Sequence, residues 1–193
     1  MCAHVCPWWG GYFIDNPWRR LLHDPQQLLG PHVQPGMTVL DVGCGMGFFA
    51  IAMAKMVAER GRVIALDVQQ QMLDVLARRA ARAGLSDRIQ ARRCAPDRLD
   101  VDASVDVALA FAVIHEVPDA RRLMGEVHDC LTPGGKFLVA EPKLHVTGRR
   151  FESLEIMAAE SGFQLSDRPH VRLCHAALWI KPASASAGVK PGK

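Results

Sequence analysis

A chain of 193 residues, 49% hydrophobic and 22% charged, has the composition of an ordinary globular protein with one full core, and no internal repeat divides it. Its formal net charge of +3 equals the three lysines of the last stretch, Lys181, Lys190 and Lys193, so the rest is neutral. A nucleic-acid partner held on a broad basic face is excluded, and no apolar run spans a bilayer, since the best candidate, 48–58, is broken by Lys55.

The start, Met1-Cys-Ala-His-Val-Cys-Pro-Trp-Trp, has no basic opening and no clean apolar run, so it does not read as a secretion signal and a cytoplasmic location is expected. There the six cysteines, at 2, 6, 44, 94, 130 and 174, stay as thiols, because their spacing is not that of a compact disulfide framework. Cys2, His4 and Cys6 alternate, and on an extended segment they share one side, where soft ligands suit zinc or a thiophilic metalloid. The spacing fits no standard structural zinc motif, so no metal site is assigned. Residues 1–36 hold three of the four Trp (Trp8, Trp9, Trp18) and the only Tyr, Tyr12. Pro17 and Pro25 punctuate short helices that turn Leu21, Leu22, Leu28 and Leu29 inward, and Pro31 and Pro35-Gly36 close the segment.

The stretch Val39-Leu-Asp-Val-Gly-Cys-Gly-Met-Gly-Phe-Phe-Ala50 then joins a strand, a turn and a helix. Gly43, Gly45 and Gly47 leave backbone without side chains, and a helix from about Met46 to Glu59 points its N-terminal N–H groups at the same space. A nicotinamide or flavin fingerprint needs its third glycine at position 48, which holds Phe48. What remains, G-x-G-x-G behind Asp41, resembles motif I of the class I S-adenosylmethionine (SAM)-dependent methyltransferases. A tight turn with no ligand is the plainer reading of those glycines alone.

The resemblance implies an α/β, Rossmann-like, doubly wound fold whose seven-stranded sheet is mostly parallel with an antiparallel last strand. It places the methyltransferase domain at 37–181, a helical and aromatic N-terminal extension at 1–36 that lies as a lid over the acceptor site, and a mobile tail at 182–193. Packing against an otherwise exposed face is the alternative use of the N-terminal aromatics. Asp41, Gly43, Cys44, Gly45 and Gly47 are the implied contacts to SAM.

Downstream the pattern continues. Arg62 to Asp67 is a second strand ending in an acid, and the resemblance gives Asp67, with Val68 beside it, the ribose hydroxyls; capping the helix of Gln69 to Arg82 is the other use of that carboxylate. That helix buries Met72, Leu73, Leu76, Ala80 and Ala83, while Arg78, Arg79 and Arg82 read as a solvated face. A third strand, Arg88 to Cys94, ends in Arg-Cys-Ala where the family commonly has Gly-Asp-Ala. Cys94 is a weak acceptor, so adenine falls to Ala95, backbone groups, apolar packing or nearby Asp97. Asp102 to Ala112 is a buried fourth strand carrying Phe111 to the ligand end, followed by a helix from Pro118 through Cys130. Leu131-Thr-Pro-Gly-Gly-Lys-Phe-Leu-Val-Ala-Glu-Pro142 resembles the family's fifth-strand segment. A helix at 148–161 and strands at 163–167 and 171–180 complete the chain.

The implied function is methyl transfer from SAM to a small or medium-sized molecule. Alignment, exclusion of water and a general base would supply the catalysis. His115 is the first candidate base, just beyond the fourth strand, with Glu116 beside it and Glu141 and His145 ranked lower; a histidine satisfied by a backbone carbonyl is the structural alternative. Two other functions stay open, a non-catalytic SAM-binding protein and a metal- or metalloid-binding protein on the same fold. The motifs specify the donor side and leave the acceptor and oligomeric state open.

Overall fold

The computed structural model describes residues 22–183. A short helix α1 (Pro25–Leu29), capped by Asp24 Oδ1 accepting from the Gln26 N–H at 2.9 Å, leads into β1 (Thr38–Val42). Then come α2 (Phe48–Met56), β2 (Arg62–Asp67), α3 (Gln70–Arg82), β3 (Ile89–Arg93), β4 (Val105–Phe111), α4 (Ala120–Cys130), β5 (Leu131–Pro142), α5 (Gly148–Glu160), β6 (Gln164–Asp167) and β7 (Cys174–Ile180). The seven strands form one sheet in the order β3-β2-β1-β4-β5-β7-β6. Pairing is parallel from β3 to β5 and antiparallel on both sides of β7, as the sequence predicts for the last strand.

Alternation along the strands divides the core into two layers. Val39, Val63, Val107 and Leu109 face one cluster with Phe49, Met53, Leu73 and Leu76 from α2 and α3. Leu40, Ile64, Ala108 and Phe137 face the other with Met124, Val127, Phe151 and Leu154 from α4 and α5. Helices therefore cover both sheet faces, and the strand order reverses between β1 and β4. Open α/β sheets bind ligands in the crevice at the carboxyl ends of the strands at such a reversal.

Several boundaries differ from the expected ones for local reasons. The helix starts at Phe48 rather than Met46 because Gly47 takes φ +88°, outside the helical region. Residues 86–88 form a 3₁₀ turn, so the third strand begins at Ile89. The fourth ends at Phe111 because Ala112 sits at φ +57°, and the seventh begins at Cys174 because Leu173 sits at φ +62°. Cys2, His4, Cys6, the aromatic residues Trp8, Trp9, Tyr12 and Trp18, and the tail from 184 lie outside the described residues.

A Cβ on Gly47 would lie 2.2 Å from Leu76 Cδ1, a fully buried atom, whereas a Cβ on Gly84, at φ +66°, meets nothing within 4 Å. Gly84→Ala should therefore cost only the left-handed penalty, about 1 kcal/mol, and Gly47→Ala should cost about 1–3 kcal/mol more by crowding Leu76. Urea denaturation of the two variants measures the difference, and equal losses would show that the α2–α3 packing yields freely.

Candidate active site

At the carboxyl ends of β1, β2, β3 and β4 the chain leaves a pocket walled by the turn after β1. Asp41, Gly43, Cys44, Gly45, Met46, Phe48 and Phe49 line it on that side. The turn satisfies much of its own backbone: Cys44 N–H donates to Leu66 O at 2.8 Å, and Gly47 N–H to Cys44 O at 3.0 Å. Arg79, reaching over from α3, donates to Met46 O at 3.1 Å. A Cβ built on Gly45 would meet no protein atom within 4 Å, so that position opens into the pocket and lets a ligand lie against the turn without meeting a side chain. Gly47 itself does not line the pocket, and packing against Leu76 gives a separate reason for a glycine there. Cys44 is buried, and burial pushes its thiol well above the ordinary range, so it stays neutral.

Asp67 ends β2 and joins the two sides of the floor. Its Oδ2 accepts from the Gly45 N–H at 2.9 Å and its Oδ1 from the Gln69 N–H at 2.8 Å. The carboxylate thus touches both the glycine turn and the start of α3, and each oxygen retains a second acceptor position for a ligand hydroxyl. Burial raises its pKa, and the backbone donors, Gln69 first, oppose the shift. Val68, Gln69 and Met72 extend this wall.

The far end is apolar. Cys94, Ala95, Pro96, Leu99, Val117 and Leu123 line it, and burial lifts the Cys94 thiol to about 11. Asp97 is not part of the lining; it faces Arg122 Nη1 at 3.4 Å. The departure at Cys94 therefore replaces a carboxylate with packing. Phe111 closes the β4 side, its ring 4.7 Å from that of Phe49 and 4.9 Å from that of His23.

After β4 the chain makes a 3₁₀ turn, Ile114–Glu116, pinned by the fully buried carboxylate of Glu141 at the end of β5. Glu141 Oε1 accepts from the N–H groups of Ile114 at 2.7 Å and Val113 at 3.2 Å, and its Oε2 lies 2.5 Å from His115 Nδ1. His115 Nε2 in turn lies 3.3 Å from His145 Nδ1 and 3.9 Å from Glu116 Oε1. The bond to Glu141 holds the His115 pKa above its usual 6.5 against the opposing effect of burial. Of these four residues only Glu116 lines the pocket. His115, the first candidate base, stands behind that wall because the buried carboxylate draws its ring toward β5. The role of Glu141 is invisible along the sequence, since β4 and β5 become neighbours only in the sheet.

Comparison with known proteins follows the same outline. A family model described as a methyltransferase domain matches residues 33–167. A demethylmenaquinone methyltransferase from Lactobacillus johnsonii is 34% identical over 128 residues, 66% of this chain and 50% of that protein. A ubiquinone/menaquinone biosynthesis C-methyltransferase UbiE from Brucella anthropi is 33% identical over 114 residues, 58% of this chain and 43% of that protein. The chain spans about half the length of the curated relatives it matches. Among solved structures, a SAM dependent methyltransferase from Aquifex aeolicus superposes with a TM-score of 0.82 at 23% identity, covering 92% of this chain and 100% of that one. The [4+2]-cyclase SpnF gives 0.70 at 20% identity, covering 82% and 81%.

The His115–Glu141 pair carries a pH signature of defined sign. A histidine whose folded pKa is raised contributes stability that is complete below its unfolded value of 6.5 and is lost as pH rises through the folded value. Glu141→Gln keeps an oxygen for the Val113 and Ile114 N–H groups but removes the charge. The stability gap between wild type and this variant, followed by thermal melting across pH, should be widest below about 6.5 and narrow at higher pH. A gap independent of pH would show that the pair does not titrate with folding.

Proposed function

From a chain that belongs to the class I SAM-dependent methyltransferase domain family, we propose that the pocket beside the Gly43–Gly47 turn holds SAM and that the acceptor is a small ring compound of the quinone type. The side-chain-free turn at Gly45, bridged to Asp67, is the observation that carries the donor side. Asp67 and Val68 would hold the ribose, Cys94, Ala95, Pro96 and Leu99 the adenine face, and Asp41, Gly43, Cys44 and Phe111 the remainder. The names of the curated relatives support a quinone-type acceptor, and the apolar surfaces of Phe48, Phe111 and Val113 suit a flat ring.

SAM, when bound, supplies an electrophilic methyl group on a sulfonium. The chain's own contribution is alignment, a dry wall and a place for the acceptor's proton. Methylation at a ring carbon is easiest when a hydroxyl of the reduced ring has lost its proton, because the resulting oxyanion pushes electron density onto the carbon; the methylated carbon then loses its own proton, through solvent, to that oxygen as aromaticity returns, so one proton in all is released. Glu116, on the pocket wall, is placed to take that proton, with His115 behind it at 3.9 Å. The pair would divide the work expected of His115 alone: Glu116 faces the ligand, and His115, fixed by Glu141, stands beside it.

Calorimetry with S-adenosylhomocysteine tests the donor side. Asp67→Ala should weaken binding roughly 10- to 150-fold, the loss of a charge-assisted bond of about 1.5–3 kcal/mol. Unchanged affinity would remove Asp67 from the site. With a short-chain demethylmenaquinol as acceptor, Glu116→Gln should lower turnover roughly 10²–10⁴-fold. Binding of S-adenosylhomocysteine without methyl transfer to any ring acceptor would favour a SAM-binding protein that does not catalyse this reaction.

A further inference from the structure

Two loops at the carboxyl end of the sheet, 142–147 after β5 and 168–173 before β7, meet through the Lys143 N–H donating to Leu173 O at 2.9 Å. At this junction Leu144 is 91% exposed and Leu173 64%, the two most exposed large apolar side chains among the described residues. Leu173 also holds a left-handed backbone at φ +62°, a conformation a bulky residue rarely adopts. Around them Lys143, Arg149, Arg150 and Arg172 are exposed, and none makes an ion pair among the described residues. Arg149 and Arg150 stand in the first turn of α5, which contains no acid, where the helix dipole disfavours positive charge. Glu152, three residues after Arg149, is the nearest acid on the helix, and no ion pair to either arginine forms among the described residues, which leaves both guanidiniums open to an external anion.

We propose that this rim is a docking surface for an anionic phospholipid bilayer. Leucines ringed by cations match both parts of such a surface: the side chains enter the acyl boundary while the guanidinium and ammonium groups meet the phosphates. Charge complementarity selects a bilayer over a second copy of this chain, because an isologous contact would set the same four cations against each other. The rim also adjoins the pocket. His23 Nε2–H donates to Arg172 O at 2.9 Å while its ring rests against Phe111, a pocket residue. A bilayer against the rim would thus lie on the Phe111 side of the pocket. Docking itself is independent of the acceptor's identity and can be measured without it.

Cosedimentation of the full chain with vesicles decides the matter. The protein should bind vesicles of phosphatidylcholine containing about 30% phosphatidylglycerol, ignore pure phosphatidylcholine, and release as salt rises above about 0.15 M. Arg149→Ala with Arg150→Ala should lower the partition coefficient roughly 30-fold, two cations at about 1 kcal/mol each. Leu144→Gln with Leu173→Gln, at positions too exposed to matter for folding, should also release the protein while leaving affinity for S-adenosylhomocysteine unchanged. Failure to bind anionic vesicles overturns the proposal. So does wild-type binding by both double variants, which would put the contact elsewhere on the chain. Light scattering that shows a dimer dispersed by the leucine substitutions would assign the rim to a second copy instead, and would equally overturn it.

Discussion

Glu141 carries a carboxylate with no solvent exposure, and the site's geometry depends on how that buried charge is satisfied. Two backbone N–H groups and a histidine surround it, so the turn after β4 has one place to sit. Removing one member of such a buried set strands the rest, at a cost of about 3–5 kcal/mol. The consequence passes to the other side of the pocket. Val113, whose N–H bonds Glu141, packs so close to Gly43 that a Cβ there would fall 2.4 Å from Val113 Cγ2. One carboxylate at the end of β5 thereby sets the distance between the post-β4 turn and the glycine turn.

Asp67 does related work at a different cost. Its pKa is raised by burial, so the folded state holds its proton more tightly than the unfolded chain does, and at neutral pH the charged form detracts from stability. Folding alone would favour an apolar side chain there. The carboxylate is retained where it can bond the Gly45 N–H and still present lone pairs to the pocket, the kind of local conflict that marks a functional position.

Much of the donor side is legible in the sequence because it is local. The turn from Asp41 to Gly47 and the acid closing β2 each lie within a few residues, and the glycine spacing selects among ligand classes; the Thr132-Pro-Gly-Gly135 reversal, equally local, starts β5 at the other end of the sheet. The boundaries at Gly47, Ala112 and Leu173 moved because of positive φ, a property that hydrophobic patterning does not encode, and the third strand starts late because residues 86–88 form a 3₁₀ turn. Asp97 illustrates the second limit: it stands near the adenine position in sequence, yet Arg122, a helix away, draws it aside. His115 is the third. Its place beyond β4 is readable, but the direction of its ring is fixed by Glu141 from the neighbouring strand, and that handed the pocket wall to Glu116.

The same contrast separates the pocket wall from the loops beyond it. The donor wall is built from strand ends and the first turns of α2 and α3, whose backbone bonds are closed within the sheet and its helices, so a change there disturbs the core. Beyond the 3₁₀ turn, the loops 142–147 and 168–173 carry exposed side chains such as Leu144 and Leu173. Only Val146 and Val171 tie these loops into the core, so their exposed positions are freer to vary than the pocket wall. Glu116 stands where the two regions meet. It lines the pocket from a turn whose backbone is locked by a buried charge, which holds its carboxylate in a fixed position beside a border free to vary.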